Sequence, residues 1–159
     1  MNFFFKKNIK LILGLISLFL VIFGLFLQTK YHLEPCPLCI TQRSIFMISG
    51  VLFLFFHFVR IKKIYYFILL LSVNFAGLIF AIKHSLIQRK IIEIPSECGI
   101  DLGYMFENFP VQEVFKLVFQ GSGDCSQVSW TFLNLTIPEW AAFWFLVFIF
   151  FTVIDYKVK

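Results

Sequence analysis

From Leu11 to Leu27 the chain runs seventeen residues without a charge, and three more apolar blocks follow it. They are Ile45–Val59, extendable back to Ile40; Ile64–Ile82, interrupted only by polar Ser72 and Asn74; and Trp140–Ile154, extendable back to Ile137. A helix needs about 20 residues to cross a hydrocarbon core of about 30 Å, and about 17–25 are tolerated. Of 159 residues, 60% are hydrophobic and 14% charged, and 24 are Phe. Soluble domains run near 45–50% and 25%, so a water-soluble fold of this size could not hide so much apolar surface. Lipid satisfies no backbone group, and the blocks lack the alternation of a barrel, so they are read as helices. The expectation is an all-α integral membrane protein, a four-transmembrane-helix bundle forming a single domain over 1–159. Its spans fall near 11–27, 40–59, 64–82 and 137–154, with two extracytoplasmic cysteine loops near 28–39 and 83–136.

Basic residues set the expected orientation. Lys6, Lys7 and Lys10 precede the first block, Arg60, Lys62 and Lys63 join the second to the third, and Lys157 and Lys159 follow the fourth. These three short segments hold eight of the 14 basic residues and one acid, Asp155. By the positive-inside rule both termini are cytoplasmic and both longer connections lie outside. The net charge of +5 is then a topology signal that requires no nucleic acid. After Leu27 the sequence reads Gln-Thr-Lys rather than a small-x-small cleavage site, which argues against a removable signal peptide.

The second outer loop is long for so small a protein, and loops of that size are usually functional or disordered. Val111, Val114, Phe115 and Val118 recur at helical spacing after Pro110. Pro110–Phe119 is therefore predicted to be a short amphipathic helix lying on the membrane surface, stopped by Gly121-Ser-Gly-Asp.

All four cysteines, Cys36, Cys39, Cys98 and Cys125, fall in the two outer loops. Scattered as small hydrophobes, some would sit in the spans. Their even number on one oxidising side argues for disulfide chemistry. Plain loop staples are one form of it: a bridge closing the Cys98–Cys125 loop would contribute about 3–4 kcal/mol. Cys36-Pro-Leu-Cys39 is a poor staple, because so short a ring constrains little chain. It has instead the spacing of thiol–disulfide exchange. Pro35 and Pro37 hold the approach extended, and Cys39 then stands at the start of the second helix, where the helix terminus favours a thiolate. Arg43, one turn on and on the same face, adds a positive charge; its alternative reading is an interfacial snorkelling residue. His84, at the outer end of the third block, reads by itself as a polar tip, and His57 as a bland residue near an inner helix end. Asn74, in mid-span, reads as an interhelical hydrogen-bond former. Asn134-Leu-Thr matches a glycosylation sequon but sits just before a span. Zinc fits badly, because the second cysteine pair is separated by 26 residues rather than two to four. A c-type haem would need His where Ile40 stands, so no metal is expected.

Pro-Cys-Pro-Leu-Cys-Ile-Thr-Gln-Arg over 35–43, His84, Cys98, the run Gly121-Ser-Gly-Asp-Cys-Ser, Trp130-Thr-Phe-Leu and Ile137-Pro-Glu-Trp140 together resemble the DsbB family. Those bacterial inner-membrane oxidoreductases reoxidise the periplasmic thiol oxidase DsbA with quinone. The resemblance covers nearly the whole chain; it does not place the Tyr104–Phe115 stretch, where the family varies. It implies that Cys98 pairs with Cys125 and is attacked by a reduced DsbA-like partner. Cys125, once released, attacks Cys36, and Cys39 is left as a thiolate beside a quinone, ubiquinone or menaquinone. Arg43 then stabilises charge at the quinone and His84 lines the same pocket. It also implies a multi-pass protein of the inner membrane with periplasmic cysteine loops, expected as a monomer. Two other readings stand beside it: a small membrane protein whose cysteines only staple its loops, and an exchanger passing electrons outward as a reductant.

The orientation is testable directly. A membrane-impermeant thiol reagent applied to reduced, sealed spheroplasts should label the cysteines. Protection of either pair until the membrane is permeabilised would invert the topology.

Overall fold

The computed structural model describes residues 3–32, 36–59, 61–92, 123–126, 128 and 130–157. Cys98 and the surface helix expected at 110–119 lie outside the described residues. Four long helices carry the fold: α1 (Phe3–Tyr31), α2 (Pro37–Phe58), α3 (Lys63–Gln88) and α4 (Ile137–Lys157). Between α3 and α4 come a 3-10 turn, Gly123–Ser126, and a hairpin of β1 (Thr131–Phe132) and β2 (Leu135–Thr136). Each helix contains one apolar block and is long and apolar enough to cross a membrane, over Asn8–Tyr31, Pro37–Phe58, Lys63–Gln88 and Ile137–Lys157. The protein is an all-helical, multi-pass membrane bundle.

Local chemistry sets the helix ends. Pro37 opens α2 at a position where a missing N–H costs nothing, with Cys36 before it in extended conformation (φ −68°, ψ 159°). The end of α3 is closed by Lys90 in the left-handed region (φ 56°), with Lys90 N donating to Ile87 O at 2.9 Å and Ile91 N to Leu86 O at 3.0 Å. That is the paired bonding of a Schellman stop, with Lys where Gly is usual. At the start of α4, Glu139 reaches back to accept from Thr136 N at 2.8 Å, half of a capping box. Its other oxygen accepts from Arg89 Nε at 2.7 Å and from Ser85 Oγ at 3.3 Å, tying α4 to the end of α3. The hairpin turns through Leu133 (φ 52°) and Asn134 (φ 61°), both left-handed, as a two-residue type I′ loop requires.

In packing, α1 lies against α2, α2 against α3, and α3 against α4. Aromatic rings fill the centre. Phe46 of α2 stacks on Phe145 of α4 at 4.1 Å, and Phe148 meets Phe46 and Phe53 edge-on at 6.0 and 5.7 Å. Buried polar groups are paired across helices. Ser49 Oγ donates to Asn74 Oδ1 at 2.9 Å, Asn74 Nδ2 donates to Leu70 O at 2.8 Å, and Ser17 Oγ donates to Phe46 O at 2.7 Å. Asn74 is thus the interhelical bond former its position suggested. Phe19, Met47, Phe75 and Phe150 point outward and exposed, as residues facing lipid do. At the end opposite the cysteines, Asp155 accepts from Tyr66 Oη at 2.8 Å and pairs with Lys10 Nζ at 3.3 Å, which itself lies 3.7 Å over the Tyr66 ring. The single acid among the basic segments therefore clasps α1, α3 and α4 together.

Gly77 of α3 is where the bundle is tightest. A Cβ there would fall on the ring carbons of Phe145 and 2.9 Å from Ile45 Cγ2. Phe145 is fully buried against Phe46 and has no room to retreat. Gly77→Ala should destabilise the bundle by about 1–3 kcal/mol, read as a lower midpoint of thermal unfolding in detergent. Phe145→Leu added to it should recover part of the loss. A Gly77→Ala protein as stable as wild type would show that α3 and α4 can separate at no cost.

Candidate active site

Cys36 and Cys39 occupy the first turn of α2, and the helix start decides what each can do. Cys36 caps the helix and is buried. Cys39 is three residues on and half-buried, in the turn where backbone N–H groups have no helical acceptor. Cys36 Sγ donates to Cys39 Sγ at 3.3 Å, so the Cys39 sulfur takes the acceptor's role. Hydrogen bonds with Cys125 and with Cys39, together with burial, push the Cys36 thiol up. The pair is polarised: Cys36 holds its proton, and Cys39 receives the hydrogen bond.

Cys125 reaches the same spot from the 3-10 turn and is buried. It packs with Cys36, Leu38 and Ile87, and Cys39 and Phe80 border the cluster. Cys36 Sγ, Cys125 Sγ and a ring nitrogen of His84 all lie within 4.8 Å of one another. Two sulfurs far apart in sequence thus stand within reach of exchange, and a thiophilic cation could use the same donor set. The 26-residue spacing that counted against zinc in the sequence says nothing of this trio, because His84 and Cys36 supply two of its members.

His84 is fully buried inside α3, one turn before the helix ends. Its Nε2 lies 3.6 Å from Cys36 Sγ, and its Nδ1 lies 3.3 Å from Gln42 Nε2. The ring also hydrogen-bonds the backbone of Cys125. Gln42, buried one turn above Cys39, donates to Phe80 O at 3.4 Å. His84 therefore stands behind Cys36, and it is not among the side chains that line the cavity described next. Gln42 carried no role in the sequence reading, although its spacing puts it on the Cys39 face of α2.

On the other side of Cys39 opens a cavity of about 360 Å³. Its walls come from α1 (Leu20, Phe23, Gly24, Leu27), α2 (Cys39, Gln42, Arg43, Phe46), the hairpin and the residue before it (Phe132, Trp130) and α4 (Trp140, Trp144). Arg43 is drawn toward α1, where its guanidinium donates to Gln28 Oε1 and to Gly24 O, the latter at 3.4 Å. Gly24 leaves it space, since even a Cβ would stand 3.5 Å from Arg43 Nε. Trp130 and Phe132 stack at 6.0 Å, and Trp140 Nε1 donates to Phe132 O at 3.2 Å, so the hairpin closes over the α4 wall. An aromatic-walled cavity in the small-ligand size range, with one sulfur and one guanidinium, fits a flat apolar ring carrying oxygen acceptors. Cys39 and Arg43 were singled out in the sequence; of the aromatic wall, Trp130, Phe132 and Trp140 fall in the motifs quoted above and Phe23 and Trp144 in none.

Comparison with known proteins identifies the family. The family model for disulfide bond formation protein DsbB matches residues 6–154. A disulfide bond formation protein B of Methylobacillus flagellatus is 41% identical over 131 residues, covering 80% of this chain and 79% of the relative. Its counterpart in an Azoarcus species is 42% identical over 125 residues, covering 77% and 75%. That of Xylella fastidiosa is 36% identical over 131 residues, covering 80% and 76%. With the fold, the cysteine cluster and these relatives in agreement, the chain belongs to the DsbB family of membrane thiol:quinone oxidoreductases that serve disulfide bond formation.

Proposed function

We propose that this chain oxidises a DsbA-like periplasmic dithiol through a relay of its own four cysteines and delivers the electrons to a membrane quinone held beside Cys39. The observation that carries the reading is the order of the sulfurs. Cys125 lies next to Cys36, Cys36 lies 3.3 Å from Cys39, and Cys39 lines the aromatic cavity. In the relay, a thiolate of the partner attacks Cys98 of a Cys98–Cys125 disulfide and frees Cys125 as a thiolate. Cys125 attacks Cys36, the Cys36–Cys39 bond breaks, and the electron pair leaves on Cys39. Each exchange makes one sulfur–sulfur bond and breaks one. A bound quinone supplies the two-electron acceptor. Cys39 presents its sulfur to that site, Arg43 offers N–H donors and positive charge, and the tryptophans keep water out. The cysteine end faces the periplasm and both termini the cytoplasm, a reading supported by the basic residues gathered at the inner ends of the helices.

Arg43 separates this reading from one in which the cysteines only staple loops. Hydrogen bonds to charged groups are worth about 1.5–3 kcal/mol. Arg43→Ala should accordingly raise the quinone KM by roughly 10- to 100-fold and slow reoxidation of a reduced thioredoxin-like partner. Arg43→Lys should keep part of the activity, since the charge survives without the planar fork. Wild-type kinetics for Arg43→Ala across quinone concentrations, assayed in liposomes, would remove the quinone from this cavity.

A further inference from the structure

His84 and Gln42 form a fixed unit, and the sulfurs it faces are those of the exchange. Gln42 Nε2 is committed twice, as donor to Phe80 O at 3.4 Å and as neighbour of His84 Nδ1 at 3.3 Å. The Phe80 carbonyl can only accept, so it turns the NH2 group of Gln42 inward. His84 Nδ1 then receives a hydrogen bond, and the ring proton of the neutral imidazole belongs on Nε2. Nε2 is the atom 3.6 Å from Cys36 Sγ. The same ring hydrogen-bonds the backbone of Cys125, and His84, Cys36 and Cys125 are all buried. The imidazole thus touches both partners of one sulfur transfer, and it is not among the cavity-lining side chains.

We propose that His84, oriented by Gln42, is the positioning residue for the exchange between Cys125 and Cys36, and that it takes no part in holding the quinone. The proposal rests on the relay described above. In the step concerned, the Cys125 thiolate attacks Cys36 Sγ, the Cys125–Cys36 bond forms, the Cys36–Cys39 bond breaks, and the electron pair leaves on Cys39. No proton enters or leaves, so His84 has no net transfer to perform. Its work is geometric. The Gly123–Ser126 turn arrives from a long loop, and the bond from the imidazole to the Cys125 backbone fixes where that turn settles. The Nε2 edge of the ring, packed 3.6 Å from Cys36 Sγ, fixes the sulfur to be attacked. Thiol–disulfide exchange needs the attacking sulfur aligned with the bond it breaks, and a misplacement of about 1 Å can cost about 100-fold.

The experiment follows the Cys36–Cys125 bridge and quinone affinity separately in the full-length protein in liposomes. The protein is mixed with a reduced thioredoxin-like partner, quenched with an alkylating agent at intervals, and the bridge quantified by peptide mass spectrometry. The quinone KM is measured in parallel. His84→Leu should form the bridge roughly 10- to 100-fold more slowly, with the quinone KM unchanged. His84→Gln, whose amide nitrogen can stand near the place of Nε2, should recover part of the rate. A raised quinone KM with an unchanged bridging rate would overturn the proposal and put His84 in the quinone site. Equal slowing in both variants would also overturn it, by marking a role in packing alone. If wild-type protein forms no Cys36–Cys125 bridge, the relay itself fails. A wild-type bridge that His84→Leu forms just as fast defeats only the role of His84.

Discussion

Hydrocarbon offers no hydrogen-bond partner, and most of what this chain does with its polar atoms follows from that. Within the spans each buried side-chain donor described above finds an acceptor on a helix: Ser17 on α2, Ser49 on Asn74 of α3, Asn74 on its own preceding turn. Such bonds are worth only about 0.6 kcal/mol on average in a membrane. They act chiefly by fixing which faces meet, and close packing does the rest. Gly14 of α1 and Gly50 of α2 face each other so closely that a Cβ on Gly14 would stand 2.8 Å from Leu54 and 3.1 Å from the Gly50 carbonyl. Charges are confined to the ends, where Asp155 gathers Lys10 and Tyr66 on one side and Glu139 gathers Arg89 on the other.

The same constraint makes a helix terminus a suitable place for the proposed chemistry. An α-helix in lipid satisfies its own backbone except in its first and last turns. The first turn of α2 is therefore one of the few places near the membrane where unpaired N–H groups can act on a sulfur. Pro37 makes that turn begin abruptly, at the cost of no hydrogen bond, with Cys36 as its cap and Cys39 within it. Cys36 is left buried with its proton, and Cys39 accepts from it. Two cysteines of one type, three residues apart, acquire different roles from their depth in a helix that starts between them.

The four helices were legible in the sequence because lipid demands long apolar runs such as Leu11–Leu27. Their ends were less so. Ile64–Ile82 marked only the apolar middle of α3, which continues through Lys83, His84 and Ser85 to Gln88. Polar residues at a membrane boundary do not stop a helix; the left-handed Lys90 does. That extra turn places His84 inside the helix and against Cys36, where hydropathy alone suggested an interfacial tip. Gln42 went unread for a different reason. Its role depends on Phe80 and His84, 38 and 42 residues away, and no local pattern announces such a contact. The aromatic wall was visible as residue types at 130, 132, 140 and 144, but a cavity needs three helices and a hairpin, and one sequence does not give their relative placement.

Cys39 and Gln42 are the residues through which the two halves of the site meet. On one side Cys39 borders the dry cluster of Cys36, Cys125, Leu38 and Ile87; on the other it lines the aromatic cavity. Gln42 likewise faces both His84 and the cavity. Between sulfur exchange and the apolar chamber there is thus a partition one helix face thick, and the Cys39 sulfur belongs to both sides of it. Thiol exchange needs sulfurs that can be reached from the aqueous loops, and a lipid-soluble acceptor needs an apolar chamber. In the proposed relay, Cys39 in that wall would let electrons pass from one environment to the other without either reactant crossing. Arg43, standing on α2 but anchored on α1 through Gln28 and Gly24, then ties the charge in the chamber to the α1–α2 crossing that Gly14 and Gly50 set deeper in the bundle.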